Sequence, residues 1–105
     1  MFKVIGTDTY LSELDTWSKS DKDAAEKIPG KLSQNPFVGK PLSYPFLREK
    51  KIREKRIYFL IYENVELVLL VATSGKKDQE KTIEHIKENL DEFKVVAEKI
   101  AKQVS

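Results

Sequence analysis

The spacing of apolar and polar positions divides the chain into a helical first third, a β-rich middle and a helical tail. Residues 2–5 alternate weakly, which predicts a short first strand. Thr7 or Asp8 can cap a first helix, and a second helix is predicted to begin at Ser20. Because proline inside a helix costs about 3 kcal/mol, we expect a bend or a break at Pro29. The apolar faces of the two helices comprise Tyr10, Leu11, Leu14 and Trp17 in the first and Ala24, Ala25, Ile28 and Leu32 in the second.

The middle of the chain has the pattern of a β-meander. The segment 36–45 contains three prolines and one glycine, which predicts an irregular connector that packs through its apolar side chains. Three strands rich in β-branched and aromatic residues are then predicted over 47–52, 56–62 and 66–73. The third strand is almost continuously apolar, which is typical of a central strand buried on both faces. We expect an antiparallel meander with the helices covering one face.

The tail has a heptad-like apolar pattern from about Asp78 to Gln103. A single helix of this length measures roughly 39 Å, whereas a domain of this size has a radius of gyration of about 13 Å. The helix therefore either overhangs the body or breaks and folds back. An overhanging seam needs a partner, which can be a second copy or another protein. The seam consists of Ile83, Ile86, Leu90, Phe93, Ala97, Ile100 and Val104.

Length and composition indicate one soluble globular domain spanning 1–105. The chain has 105 residues, of which 40% are hydrophobic and 34% are charged. The net charge of +2 is unevenly distributed, because the segment 40–62 contains seven basic residues and two acidic ones. Such a patch fits a polyanionic partner, and it also fits a solvated hairpin whose lysines protect a sheet edge.

Several classes of protein are excluded by the residues that the chain lacks. Without cysteine, and with His85 as the one histidine, it cannot form a disulfide scaffold or a cysteine–histidine metal cluster. We expect no metal and no cofactor. The longest apolar run, 67–72, has six residues, whereas a membrane span needs roughly 20. No targeting signal is visible, so we expect a cytoplasmic protein without a membrane partner.

Three segments resemble the RelE/ParE superfamily of toxins, in the order in which that family has them. They are the helix end and connector Lys31–Leu42, the hairpin strands Leu47–Ile52 and Arg56–Phe59, and the strand end with its basic turn Val71–Lys77. The resemblance covers roughly residues 2–88. It implies an α+β fold in which two N-terminal helices pack on a short antiparallel or mixed sheet. A long C-terminal helix over about 78–105 follows.

The resemblance implies two alternative activities. Many members of the superfamily are ribosome-dependent mRNA endonucleases that a co-encoded antitoxin neutralises, whereas the ParE branch inhibits DNA gyrase. The expected partners are therefore mRNA on the ribosome and a cognate antitoxin. Homodimerisation through the C-terminal helix, in a member that binds RNA or protein without catalysis, is a further alternative. Fold alone does not distinguish these functions.

Metal-free RNA cleavage needs a base for the 2′-hydroxyl, an acid for the leaving oxygen and cations at the phosphate. Glu49 and Lys51 point to one face of their strand, because side chains alternate along a strand. Arg56 opens the next strand and can reach that face, and Lys77 follows the last strand. We predict Glu49 or Lys51 as the base and Arg56 and Lys77 as the phosphate-stabilising cations. Five other basic residues are predicted to bind RNA: Arg48, Lys50, Arg53, Lys55 and Lys76.

The tail departs from the pattern of the family. Several nuclease members place a tyrosine or histidine of this helix in the site, but the comparable position here is Ile83. His85 is either an acid or a solvated residue on a polar face. The tail itself could occupy the groove where an antitoxin helix normally lies. Among the aromatic residues, Tyr10, Trp17, Phe37 and Phe59 are expected in the core, while Tyr44, Tyr58 and Tyr62 either stack on bases or lie half-buried.

Overall fold

The computed structural model describes residues 1–104 and contains five strands and five α-helices. Two short 3-10 helices complete it, and within the described residues no helix is long and apolar enough to cross a membrane. The elements in chain order are β1 (Lys3–Gly6), α1 (Asp8–Asp15), α2 (Lys19–Ala25), α3 (Ile28–Gln34), β2 (Lys40–Leu42), β3 (Tyr44–Ile52), β4 (Lys55–Tyr62), β5 (Leu67–Gly75), α4 (Gln79–Glu88) and α5 (Leu90–Val104).

The strands form one mixed sheet with the order β1-β5-β4-β3-β2. The predicted antiparallel meander is confirmed as β3-β4-β5, and β1 adds a parallel strand on the outer side of β5. The last strand is central, as its continuous apolar run predicts, because it lies between β1 and β4 and is buried over nearly its whole length.

Helices cover both faces of the sheet, so the expectation of one covered face was wrong. Alternate residues of β4 belong to two separate cores. Ile57, Phe59 and Ile61 pack with the helices α1–α3, whereas Tyr58 and Leu60 pack with α4 and α5. The second layer exists because the apolar seam of the tail folds back onto the sheet.

The predicted second helix consists of two helices. Ser18, rather than Ser20, caps α2 by accepting a hydrogen bond from the Asp21 backbone amide. The chain turns at residues 26–27, and Pro29 lies in the first turn of α3. Proline is tolerated in a first turn because its missing N–H has no partner there. The expected break at proline is therefore confirmed, and it falls just before the ring.

The C-terminal helical tail breaks and folds back, which is one of the two alternatives that its apolar pattern left open. Asn89 has non-helical angles, φ −115° and ψ 19°, and separates α4 from α5. The longest dimension of the molecule is 35 Å, shorter than the predicted single helix. Ile83, Leu90, Phe93 and Ile100 pack against one core, so the seam is internal. Ser105, where the predicted helix ended, lies outside the described residues.

The connector is more ordered than predicted, because it contains a 3-10 helix at Pro36–Val38 and the edge strand β2. Arg48 organises it. Its guanidinium donates to the backbone oxygens of Pro45 at 2.8 Å, Phe37 at 3.0 Å and Gly39 at 2.9 Å. The Phe37 ring lies against this guanidinium, 5.1 Å away, and is 39% exposed rather than in the core as predicted. The other three aromatic residues expected in the core, Tyr10, Trp17 and Phe59, are buried.

Candidate functional site

Strand register brings the predicted hairpin residues to one face of the sheet. Glu49 of β3 lies opposite Tyr58 of β4, and Lys51 lies opposite Arg56. Side chains directly opposite one another in an antiparallel pair share a face. This face is the one beneath α4 and α5, because Tyr58 belongs to their core. The sequence prediction that Glu49, Lys51 and Arg56 share a face therefore agrees with the register.

A β-bulge adds Ser74 to this group. Tyr58 pairs with Ala72, but the next residue of β4 pairs with Leu70, so Val71 is an extra residue in β5. One extra residue reverses which side chains face each layer beyond it. As a result, Val71 and Ala72 both join the core beneath α4, and Ser74 lies opposite Arg56 on the same face.

Glu49 and Arg56 form a buried ion pair whose hydrogen-bonding capacity is largely unused. Glu49 Oε2 lies 3.9 Å from Arg56 Nε, and the two residues are only 9% and 8% exposed. A hydrogen bond would require roughly 2.7–3.2 Å. Glu49 Oε2, Arg56 Nε and Arg56 Nη1 are buried without a hydrogen-bond partner in the protein. The attraction between the two charges therefore offsets only part of their desolvation cost.

Tyr58 and Ser74 form a directed chain of hydrogen bonds beside this pair. Ser74 Oγ lies 3.0 Å from the Gly75 carbonyl oxygen and 2.8 Å from the Tyr58 hydroxyl. Ser74 has one hydroxyl proton and donates it to the carbonyl, so Tyr58 donates to Ser74. Burial raises the pKa of Tyr58, while its hydrogen bond with Ser74 lowers that pKa. Ser74 was not a predicted site residue. Tyr58 was predicted to stack on bases or to lie half-buried, whereas it is fully buried.

Burial of the other tyrosines predicts alkaline destabilisation. Burial raises the pKa of Tyr10 to about 12, whereas the unfolded chain releases the phenol proton near pH 10. Its stabilising contribution is therefore complete below pH 10 and is lost as the pH rises to about 12. Urea unfolding at pH 9 and at pH 11.5 measures how much free energy of unfolding each protein loses over this range. The loss in Tyr10→Phe should be about 2 kcal/mol smaller than the loss in the wild type. Equal losses of unfolding free energy in both proteins would contradict Tyr10 ionisation as the cause.

The rim of the cluster is basic and exposed. Lys51 lies at its edge on β3, and Lys76 and Lys77 are in the exposed loop that follows β5. This loop begins at Gly75, which pairs with Lys55 at the start of β4, so it lies at the same end of the sheet as Arg56. The structure therefore brings the predicted catalytic residues to one end of the sheet, with Glu49 and Arg56 buried and Lys51 and Lys77 at the surface.

The predicted RNA-binding residues are less uniform. The guanidinium of Arg48 is bonded to the connector, and Arg53 Nη1 donates to Asp21 at 2.7 Å and Ser20 at 2.8 Å. Lys55 lies over the Trp17 ring at 5.9 Å. Lys50 lies opposite Ile57 and therefore faces the layer of α1–α3. These four residues are bonded within the fold or face away from the cluster, whereas Lys76 lies on its rim.

His85 belongs to a different surface. It lines a cleft of about 250 Å³ with Thr9 and Glu13 of α1, and its Nδ1 lies 3.5 Å from the Asn89 amide nitrogen. Glu13 accepts a hydrogen bond from the Thr73 backbone amide at 2.9 Å, on the side of β5 next to α1. The hairpin lies on the opposite side of β5. No contact of His85 therefore joins it to Glu49 or Arg56.

The cluster contains the groups that phosphodiester chemistry requires. A carboxylate, a guanidinium and exposed ammonium groups can move a proton and stabilise phosphate charge. Within residues 1–104, no three histidine or carboxylate side chains are grouped as ligands for a metal ion.

The chain has the fold of the RelE toxins, and in this chain an open five-stranded sheet carries helices on both faces. The similar solved structures include a free-state mutant of Escherichia coli RelE, with a TM-score of 0.70 and 14% identity over 83% of this chain and 96% of that chain. Another is the RelBE2 toxin–antitoxin complex of Mycobacterium tuberculosis, with a TM-score of 0.63 and 22% identity over 70% and 90% of the two chains. The RelE–RelB complex of Pyrococcus horikoshii gives a TM-score of 0.65 and 11% identity over 71% and 94%.

No family model and no curated protein sequence matches this chain.

Proposed function

We propose that this protein is the toxin of a type II toxin–antitoxin system and cleaves mRNA on the ribosome in the cytoplasm. The observation that carries the proposal is the polar cluster at one end of a RelE-type sheet. There a buried carboxylate–guanidinium pair, Glu49 and Arg56, lies beside exposed Lys51 and Lys77. The RelE fold supports the toxin class, and the cluster supports the chemistry.

In the proposed reaction, Glu49 takes the proton of the 2′-hydroxyl, which attacks the adjacent phosphorus. The bond to the 5′ oxygen breaks, and the products are a 2′,3′-cyclic phosphate and a 5′-hydroxyl. Arg56 and Lys77 stabilise the charge on the phosphate oxygens. Lys51, opposite Arg56, is the candidate to protonate the leaving oxygen, or to serve as the base in place of Glu49.

A cognate antitoxin is the second part of the proposal. The similar structures from M. tuberculosis and P. horikoshii are complexes of a toxin with its antitoxin. The same fold in this chain supports a partner protein of that kind. Neutralisation should be visible as restored growth when a co-encoded antitoxin is expressed together with this chain.

The test is induction of this chain in growing cells, with mRNA 5′ ends mapped by primer extension. Wild-type protein should produce new ends within translated codons, and Lys77→Gln should remove most of them. Lys31→Gln, an exposed change on α3, should leave the cuts unchanged. Growth arrest without cuts would reject the nuclease. A supercoiling assay with gyrase would then test the ParE-like alternative. Neither arrest nor cuts would favour the non-catalytic binding alternative.

A further inference from the structure

Helices α4 and α5 close the candidate site from above. Among the described residues, these two helices are the layer on the sheet face that carries Glu49, Arg56 and Tyr58, because α1–α3 pack on the other face. Ile100 of α5 packs in the core that contains Leu47 and Tyr58. Leu47 precedes Glu49 by two residues on β3, and Tyr58 lies directly across from Glu49. Helix α5 therefore belongs to the layer over the sheet face that carries the carboxylate–guanidinium pair.

The closed arrangement conflicts with access to the site. Arg56 is 8% exposed, and its Nε and Nη1 are buried without a hydrogen-bond partner, as is Glu49 Oε2. A phosphate in solution cannot approach these atoms while the helical layer is in place. Closure also keeps two charges away from water without completing their hydrogen bonds, so it carries a desolvation cost that opening removes.

The non-helical residue Asn89 separates α5 from α4. The Asn89 backbone amide donates to Ile86 O and ends α4, while Phe93 N donates to Asn89 O at the start of α5. Helix α5 packs on the sheet through an inner apolar stripe. This stripe includes Ala97, which is 1% exposed, whereas Val95 on the outer face is 52% exposed. A 15-residue helix of this kind depends on packing for much of its stability.

We propose that α5 is an autoinhibitory lid that closes the Glu49–Arg56 pair when docked and opens it when it swings away about Asn89. The consequence for RNA cleavage rests on the proposed function, because a substrate phosphate has to reach Arg56. The motion itself can be measured without RNA, through the chemical accessibility of the Arg56 guanidinium.

The test compares two changes on the inner face of α5 with one on its outer face. Phenylglyoxal modifies exposed arginines, and mass spectrometry can report Arg56 relative to Arg53, whose side chain is 58% exposed. Ala97→Glu places a charge under the lid and should raise the rate of Arg56 modification at least about tenfold. Ile100→Asn should raise it several-fold. The matched control Val95→Glu should leave it within about twofold of the wild type.

If the inner-face variants lose their fold, hydrogen exchange of the wild-type protein can test whether α5 opens independently of the sheet. The α5 amides should exchange at least about tenfold faster than those of β4 and β5, because the lid opens without unfolding the sheet. Exchange of α5 only together with the strands would overturn the lid. So would unchanged Arg56 reactivity in folded Ala97→Glu, because α4 would then be the cover.

RNA cleavage separates this inference from the proposed function. If Ala97→Glu makes Arg56 reactive toward phenylglyoxal and also cuts ribosome-bound mRNA faster, both the lid and the nuclease activity are supported. If Arg56 becomes reactive but no RNA is cut by any form, the lid stands and the nuclease fails.

Discussion

Replacing Arg56 with methionine is expected to lower the free energy of unfolding by about 3–5 kcal/mol, a large part of the stability of a small domain. The guanidinium is the ion-pair partner of Glu49, and both residues are about nine-tenths buried. Removing it leaves a carboxylate in a poorly solvated place with no compensating charge. Glu49→Leu should also be destabilising, because it leaves the buried Arg56 guanidinium without its counter-charge. Urea unfolding of each variant measures the effect.

The double variant Glu49→Leu with Arg56→Met distinguishes the pair from two independent packing defects. If the two charges compensate each other, the double change should cost less than either single change, because no buried charge remains. If the double variant loses as much free energy of unfolding as the two single variants together, the two charges, 3.9 Å apart, do not stabilise each other. The exposed Lys31→Gln serves as the baseline, with an expected effect within about 0.5 kcal/mol.

The part of the fold that follows from local patterns was predictable from the sequence. Alternation and β-propensity predict the hairpin of β3 and β4, and the continuous apolar run of β5 predicts its central position. Thr7 caps α1 as expected, because a side-chain oxygen before an apolar helical pattern is a strong local signal. These signals arise within a few residues and need no knowledge of the tertiary structure.

The features that were missed depend on contacts between distant segments. The tail pattern left overhang and folding back as alternatives, and only packing against the sheet selects the break at Asn89. The same packing covers the second face of the sheet. Arg48 was predicted to bind RNA because of its charge alone. Its three backbone acceptors belong to the connector that folds against it.

Most of the candidate cluster was recognisable from the sequence. The i, i+2 spacing of Glu49 and Lys51 places them on one face, and the same rule applied to β4 would have added Tyr58 two residues after Arg56. Ser74 could not be found in this way. Simple alternation from Val71 would put it on the opposite face, and the extra residue of the bulge reverses this.

The buried pair and the exposed lysines divide the proposed site into two kinds of residue. Changes at Glu49 or Arg56 alter stability and activity together, so they cannot identify a catalytic role by themselves. Lys51 and Lys77 are exposed, and their replacement should leave the fold intact. They are therefore the informative positions for the proposed chemistry.

Lys51→Gln is expected to lower the rate of cleavage of ribosome-bound mRNA about 10²- to 10³-fold, the usual range for loss of one proton-transfer or phosphate-stabilising group. Lys50→Gln is its matched control, because Lys50 is adjacent in sequence but faces the α1–α3 layer. It should weaken binding at most several-fold, in a salt-dependent way, without lowering the single-turnover rate at saturating ribosomes.

Single-turnover measurements on a programmed ribosome can separate these effects. A large rate loss for Lys51→Gln and Lys77→Gln, with little change for Lys50→Gln and Lys31→Gln, would place catalysis on the face beneath α5. Equal, salt-sensitive losses at Lys50 and Lys51 would instead mean that the hairpin acts only as a basic patch. An unchanged rate in both Lys50→Gln and Lys51→Gln would exclude this face of the hairpin from the reaction. Lys51 lies directly opposite Arg56, so its loss should alter any reaction centred on Glu49 and Arg56.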